Sequence, residues 1–422
     1  MNPRPTPSDC GCADLPTAHS LTPDQALCQI EAAMQPALSD TETLLLQAAL
    51  DRVLAGPVDS PIAVPTYTNS AMDGYALRAA DLPTSGTVAL TQIGIAWAGR
   101  PFAGQVGPGQ CVRIMTGAQL PDGADTVVMQ EHITAHGDQI SVDDRQQAGQ
   151  NVRLVGEELQ PGQAVLAAGK RLTAADIGLL ASLGLAEVTV LRRLRVAFFS
   201  TGDELCAPGA TLGAGQIYDS NRHSLQAMLS RLGVIAVDLG VVRDDRDAVR
   251  SALQTAAATA DVVITSGGVS VGDADYVTEI LKELGQVKFW KVAMKPGHPL
   301  TVGRIGNAHF FGLPGNPVSA MVTFYQFVQP GLYRLMGCPP ALRLRFPVPC
   351  QDRLKKRAGR LEYQRGLLSQ VNGQLVVHSA GNQGSHLLSS MSKANCFIIL
   401  PADNAGVQPG ELVEVEPFAG II

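Results

Sequence analysis

The chain changes its hydrophobic rhythm several times. Near its start, Ala26, Leu27, Ile30, Ala33 and Met34 recur at helical spacing, behind Thr22 as N-cap and Pro23 in the first turn. A second helix is expected over 42–50, and the prolines at 57, 61 and 65 predict an extended connector. Short β-type runs follow at 88–93, 111–114, 126–129 and 139–142. Glycines, prolines and aspartates separate them, so this stretch reads as a small all-β module. Helical periodicity returns over 172–183, capped by Thr173, and an extended run resumes at 188–191.

From Leu194 the pattern becomes strand-helix alternation, the mark of an α/β unit with a mostly parallel sheet. Apolar runs at 196–199, 234–242, 262–264, 287–292 and 310–313 read as its strands. Helical faces lie between them, one of them Leu225, Met228, Leu229 and Leu232 behind an Asp219 cap. Asn316-Pro317 opens a long apolar helix over 318–328. After Pro339 the chain is β again, at 361–364, 375–377, 396–400 and 412–415, in a small barrel or sandwich. The expected fold class is therefore multidomain α/β. A disordered tail covers 1–20, and 21–60 packs with 147–192 as one discontinuous domain. A β domain is inserted at 61–146, the α/β domain spans 193–336, and the last unit spans 340–422.

Composition narrows the function. The net charge of −6 and the lack of a polybasic tail argue against a nucleic-acid partner. Among eight cysteines only Cys10 and Cys12 are close, and no zinc spacing occurs, as expected of a reducing compartment. Neither a signal-type apolar core nor a membrane-length apolar run is found, so a cytoplasmic protein is expected.

The stretch 261–276, DVVITSGGVSVGDADY, carries the most chemistry. A strand ends at Ser266-Gly267-Gly268, Ser270 and Gly272 follow, and Asp273 and Asp275 precede a helix. Backbone N–H groups of such a loop suit a phosphate, and a carboxylate beside a phosphate needs a hard cation such as Mg2+ between them. A plain turn with a capping aspartate accounts for the same residues. Convergence favours a site. In an open parallel sheet, loops at the strand C-termini share one crevice, which brings together 200–204, 243–245, 266–275 and 312–316. Lys291 and Lys295 could supply positive charge. The basic run Arg353, Lys355, Lys356, Arg357 and Arg360 reads as a solvated face, and 384–386 as an adaptable polar loop.

Taken in order, SAMDGYA (70–76), RIMTGA (113–118), STGDEL (200–205), IYDSN (217–221), SGGVSVGDADY (266–276), KPG (295–297), GLPGNPVS (312–319) and QGSH (383–386) resemble the MoeA-type molybdopterin molybdotransferases, the family that includes the C-terminal domain of gephyrin. The resemblance runs from about residue 21 to the end of the chain. It implies an adenylyltransferase-like α/β domain, an elongated discontinuous domain, an inserted β domain and a C-terminal β barrel. It implies a homodimer whose active cleft lies between subunits, with no membrane or nucleic-acid partner. It also implies contacts with the molybdopterin adenylyltransferase and with cofactor-receiving enzymes. The implied reaction joins molybdate to adenylylated molybdopterin and releases AMP, with Mg2+.

Carried over by position, the resemblance implies catalytic roles for Asp73, Thr116, Glu204, Asp244, Asp275, Lys291 and Lys295. Glu204, Asp244 and Asp275 would hold the metal. Substrate would meet Arg153, Glu158, Ser200, Thr201, Gly202, Asp219, Ser266, Gly267, Gly268, Ser270, Gly272, Pro314, Gly315, Asn316, Pro317 and Ser385. Two positions depart from the family pattern. Glu158 stands where an aspartate is expected, and His298 replaces the second lysine of a KPGKP segment.

Overall fold

In the computed structural model, which describes residues 20–35, 39–268, 276–339, 342–418, 420 and 422, helices begin where their caps are written. The helix Pro23–Ala33 opens with a reciprocal cap: Gln25 N–H donates to Thr22 Oγ1 at 3.2 Å, and Thr22 N–H donates to Gln25 Oε1 at 2.9 Å. Thr173 and Asp176 repeat the device at the helix Ala174–Ser182. The first helix buries Ala26, Ile30 and Met34 in the same core as Val196, Phe198 and Phe311 of the α/β unit.

The helix expected over 42–50 is not formed. Thr41–Leu45 is a strand, paired antiparallel with Glu187–Leu191, and a short 3-10 turn, Leu46–Ala48, follows it. A partner strand distant in sequence satisfies the backbone and outweighs local helix propensity. Val58–Asp59 likewise pairs with Ala164–Leu166, and Asn69–Ser70 with Val152–Arg153. The stretches before and after the inserted β module are thereby zipped together. That module is a six-stranded sheet in the order Thr126–Met129, Gly74–Leu77, Gln110–Ile114, Thr87–Ala96, Gln139–Asp143, Ile133–His136.

The α/β sheet runs Ile235–Val242, Arg195–Thr201, Val262–Ser266, Ala308–Leu313, Pro299–Ile305, Gly285–Lys291. Its first four strands are parallel, and helices Ser220–Leu232, Arg246–Thr259 and Tyr276–Leu284 cover its faces. The alternation inside Arg195–Thr201 sets the two cores: Val196 and Phe198 enter one, Ala197 and Phe199 the other. Each such large side chain contributes about 1.5–3 kcal/mol by leaving water. Pro299–Ile305, unassigned by the hydrophobic pattern, forms a hairpin with Ala308–Leu313.

In the C-terminal unit, Gln374–Ser379, Leu361–Val371, Cys396–Leu400, Leu412–Pro417 and Phe346–Pro349 pair in sequence across a sheet. A bridge between Cys350 and Val377 brings its first strand back toward Gln374–Ser379, the closure of a barrel. Met294–Lys295 leaves the α/β unit and adds in parallel to Leu361 and Glu362 of this sheet. The basic run is not wholly a solvated face. Lys356 is buried, and its Nζ donates to the carbonyls of Arg357, Ala402 and Asn404. Among the described residues, no helix is long and apolar enough to cross a membrane.

Candidate functional site

A cleft of about 1160 Å³ opens where the strand C-termini of the α/β sheet face the C-terminal barrel. Of the sequence-expected residues, Ser200, Thr201, Gly202, Glu204, Asp219, Asp244, Ser266, Gly267, Gly268, Lys295, Pro314, Gly315, Asn316, Pro317 and Ser385 line it. Parallel pairing sets this convergence, because neighbouring strands end at the same level: Ser200 pairs with Ser266, and Ser266 with Leu313. Asn221 ties two of the loops, donating through Nδ2 to Ser266 Oγ at 2.8 Å and to the Gly315 carbonyl at 2.7 Å.

The glycines are required by space as well as by conformation. Gly267 has φ +90° and Gly268 φ +65°. A Cβ on Gly267 would come to 2.9 Å from the Thr201 carbonyl oxygen, and one on Gly268 to 2.6 Å from Val277 Cγ2. Thr201 Oγ1 is buried beside both and has no partner among the described residues. Asp219 lines the cleft with its carboxylate tied into the fold. Its carboxylate accepts from Ser200 Oγ at 3.2 Å, from the Arg222 N–H at 3.1 Å and from Arg222 Nε at 3.2 Å.

Asp244 is held differently. Partial desolvation by the cleft wall raises its carboxyl above the usual aspartate range, and the negative charges of Asp203 and Glu204 raise it further. No cation pairs with Asp244 or Glu204 among the described residues. The donor chemistry suits Mg2+, which binds through one or two carboxylates and keeps its other positions for water and phosphate oxygens. The described residues do not by themselves form a closed cage of three or more ligands. Asp275, Ser270 and Gly272 lie outside the described residues.

The same cleft is also lined by cations. Lys295 follows the strand-end turn and lies 3.2 Å from Glu362 of the barrel. Arg360, Asn382, Gln383 and His386 complete that wall. Arg365, buried, anchors the polar loop by donating to the Asn382 and Gly384 carbonyls at 3.2 and 3.0 Å. His298 also lines the cleft, and Nδ1 donates to the Val292 carbonyl at 2.7 Å, since a carbonyl can only accept. Arg360 was placed by sequence on a solvated run. The turn at Ala358-Gly359, with φ +118° at Gly359, separates it from that run and was the available signal.

Lys291 does not join this wall. It ends the strand Gly285–Lys291 with its side chain exposed, outside the cleft lining. Asp73, Thr116, Arg153 and Glu158 are also absent from the cleft of their own chain. Asp73 and Thr116 belong to turns of the β module, and Arg153 to the short strand Val152–Arg153 that pairs with Asn69–Ser70. Thr116 donates to Asp73 Oδ1 through its N–H at 2.7 Å and its hydroxyl at 2.8 Å, Gly117 N–H donates to Ser70 O at 2.8 Å, and Arg153 pairs with Asn69. These bonds from Thr116 hold the Asp73 carboxyl below its usual range. Glu158 is exposed on the segment that bonds back to Val64.

A glycine-loop crevice at parallel strand ends, walled by a second sheet with cations, defines a transferase of molybdenum cofactor biosynthesis when set beside known proteins. Residues 21–184 match the MoeA N-terminal region (domain I and II), 197–334 a probable molybdopterin binding domain, and 347–418 the MoeA C-terminal region (domain IV). The chain is 46% identical over 405 residues to a molybdopterin molybdenumtransferase of Haemophilus influenzae, covering 94% of this chain and 98% of the relative. It is 40% identical over 387 residues to that of Nostoc, covering 89% and 88%. A molybdopterin biosynthesis MoeA protein from Pyrococcus horikoshii has the same fold with TM-score 0.82 at 27% identity, over 95% of this chain and 100% of that one. The chain belongs to the MoeA family of molybdopterin molybdenumtransferases.

Proposed function

We propose that this enzyme transfers molybdate to adenylylated molybdopterin and releases AMP, with Mg2+ as its metal. One observation carries the reading: a single cleft sets carboxylates that lack a cation partner, Glu204 and Asp244, against the cations Lys295 and Arg360. An oxyanion substrate and a phosphate-bridged nucleotide need both signs of charge in one place. Lys295 and Arg360 hold the oxyanion and keep it from the carboxylates. Gly267 and Gly268 let the backbone close on a phosphate, and Asn221 keeps the Ser266 and Gly315 loops in register around it. Pro314 and Pro317 fix the loop shape. Glu204 and Asp244, with Asp275, hold Mg2+, which supplies charge neutralisation to the phosphate oxygens when bound.

The Asp73, Thr116, Arg153 and Glu158 segments are separate from the cleft, so in this reading a second copy of the chain presents them to it. The enzyme then works as a cytoplasmic homodimer, receiving its nucleotide from the adenylyltransferase and passing the cofactor to receiving enzymes. The test is AMP release from adenylylated molybdopterin and Mg2+, with and without molybdate. Molybdate-stimulated release is expected, and tight substrate binding without release overturns the reading. Mixing Asp73→Ala copies with Asp244→Asn copies should restore part of the activity. A mixture as inactive as either parent would overturn the shared cleft.

A further inference from the structure

A second cavity adjoins the cleft on the barrel. It measures about 680 Å³ and is lined by Lys295, Lys355, Lys356, Arg357, Arg360 and Glu362, with Ala358. Its one carboxylate is already committed: Glu362 Oε1 lies 3.2 Å from Lys295 Nζ, and Oε2 accepts from Gln364 at 2.9 Å. Lys356 is committed as well, spending its donors on three carbonyls. Lys355, Arg357 and Arg360 are exposed, and among the described residues their side chains make no ion pair or hydrogen bond, although the carbonyls of Lys355 and Arg357 accept from Gln364 and Lys356. The cavity therefore keeps an excess of positive charge on a chain whose net charge is −6.

The loop that presents these cations is fixed. Lys356 bonds it to Ala402 and Asn404, and Gly359 N–H donates to the Ala402 carbonyl at 2.7 Å. Lys295 and Arg360 line both this cavity and the cleft, so the two spaces share a wall. None of the lining side chains is aromatic, so the cavity offers a pterin or a purine no ring to stack on. What fits unpaired, fixed cations without a ring platform is a small inorganic oxyanion.

We propose that this pocket is a landing site for a tetrahedral oxyanion on its way into the cleft, with Lys355 and Arg357 as the outer cations and Arg360 and Lys295 as the inner pair. The identity of that oxyanion as molybdate rests on the transfer reaction proposed above. A basic basin of this kind raises the capture rate of a dianion and loses its advantage as salt screens it.

The experiment uses the full-length protein with the double variant Lys355→Glu/Arg357→Glu. Arg353→Glu is the control, because Arg353 is exposed in the same run but does not line the pocket. At low ionic strength, kcat/KM for molybdate should fall about tenfold in the double variant, and the gap should narrow as salt rises. KM for the pterin nucleotide should stay unchanged. An unchanged kcat/KM for molybdate, or an equal fall in Arg353→Glu, overturns the proposal. So does a rise confined to the nucleotide KM, which would make the pocket a seat for the organic substrate's phosphate. Calorimetric titration with molybdate alone separates this proposal from the transfer reading. Weaker binding in the double variant supports the pocket even if no AMP is ever released, whereas equal binding overturns it even if transfer proceeds.

Discussion

The two ends of the parallel α/β sheet treat negative charge in opposite ways. At the N-terminal end, Asp261 is partly buried, which by itself would raise its carboxyl. Arg192 meets it with two bonds of 2.8 and 2.7 Å and the Arg195 N–H with a third at 2.8 Å, so its carboxyl ends below the ordinary range. At the C-terminal end, Asp244 is more exposed, yet partial desolvation and its acidic neighbours leave its carboxyl above that range. The less buried carboxylate is the less comfortable one. Burial alone does not decide which charge is strained; the presence of a partner does. One end of the sheet has completed its electrostatics within the chain, and at the other the carboxyl of Asp244 has no cation partner among the described residues.

The contrast can be broken most sharply at Asp244. Asp244→Asn should lower AMP release by roughly 10²–10³-fold, the scale of removing one electrostatic stabiliser from a reaction centre. Mg2+ should raise the thermal midpoint of the parent protein and not of the variant. Near-parental activity would remove Asp244 from the site.

His309, at the N-terminal end of the sheet, tests what burial does where it is the leading effect. It is buried, and its imidazole is pushed down to about 4, by burial first and then by Arg304, with Asp261 opposing. Its folded-state value lies below the ordinary 6.5, so the native state holds the ring neutral. The stability this provides is complete above pH 6.5 and is lost as pH falls toward 4, by about 3 kcal/mol. His309→Gln should flatten that part of a denaturation-against-pH curve, and an unchanged slope would place the acid sensitivity elsewhere.

Asp261→Ala should cost about 2 kcal/mol in chemical denaturation, less than a fully buried pair because Asp261 and Arg192 remain 21% and 31% exposed. It should leave KM for either substrate unchanged, and a changed KM would mean that the two ends are coupled. The smallest effect is expected outside the sheet. Thr116→Val keeps the backbone donor to Asp73 and removes only the hydroxyl. The Asp73 carboxyl should titrate higher by NMR, and activity should fall only several-fold.

What was legible in the sequence was local or periodic. Thr22, Thr173 and Asp219 each announce a helix start through a side chain that acts within three residues. The strand-end loops were legible because parallel topology forces them onto one rim. The parts that no local pattern could give depend on distant partners. Residues 42–50 look helical until Glu187–Leu191 pairs with Thr41–Leu45. Lys291 and Lys295 are indistinguishable by composition, and only the added strand at Met294–Lys295 turns one of them toward the barrel wall. Arg360 enters the cleft because the barrel docks there, which no local pattern encodes.

The two-residue pairing of Met294–Lys295 with Leu361–Glu362 has a consequence during synthesis. Domains fold largely in the order in which they leave the ribosome. The α/β sheet can close as soon as Ala308–Leu313 has emerged, but the strand that receives Lys295 is translated some fifty residues later, and its neighbour Cys396–Leu400 later still. A nascent chain therefore displays a finished glycine loop with only one wall of its pocket. The wall that carries Arg360 and Ser385 joins the cleft only after the glycine-loop wall has been made.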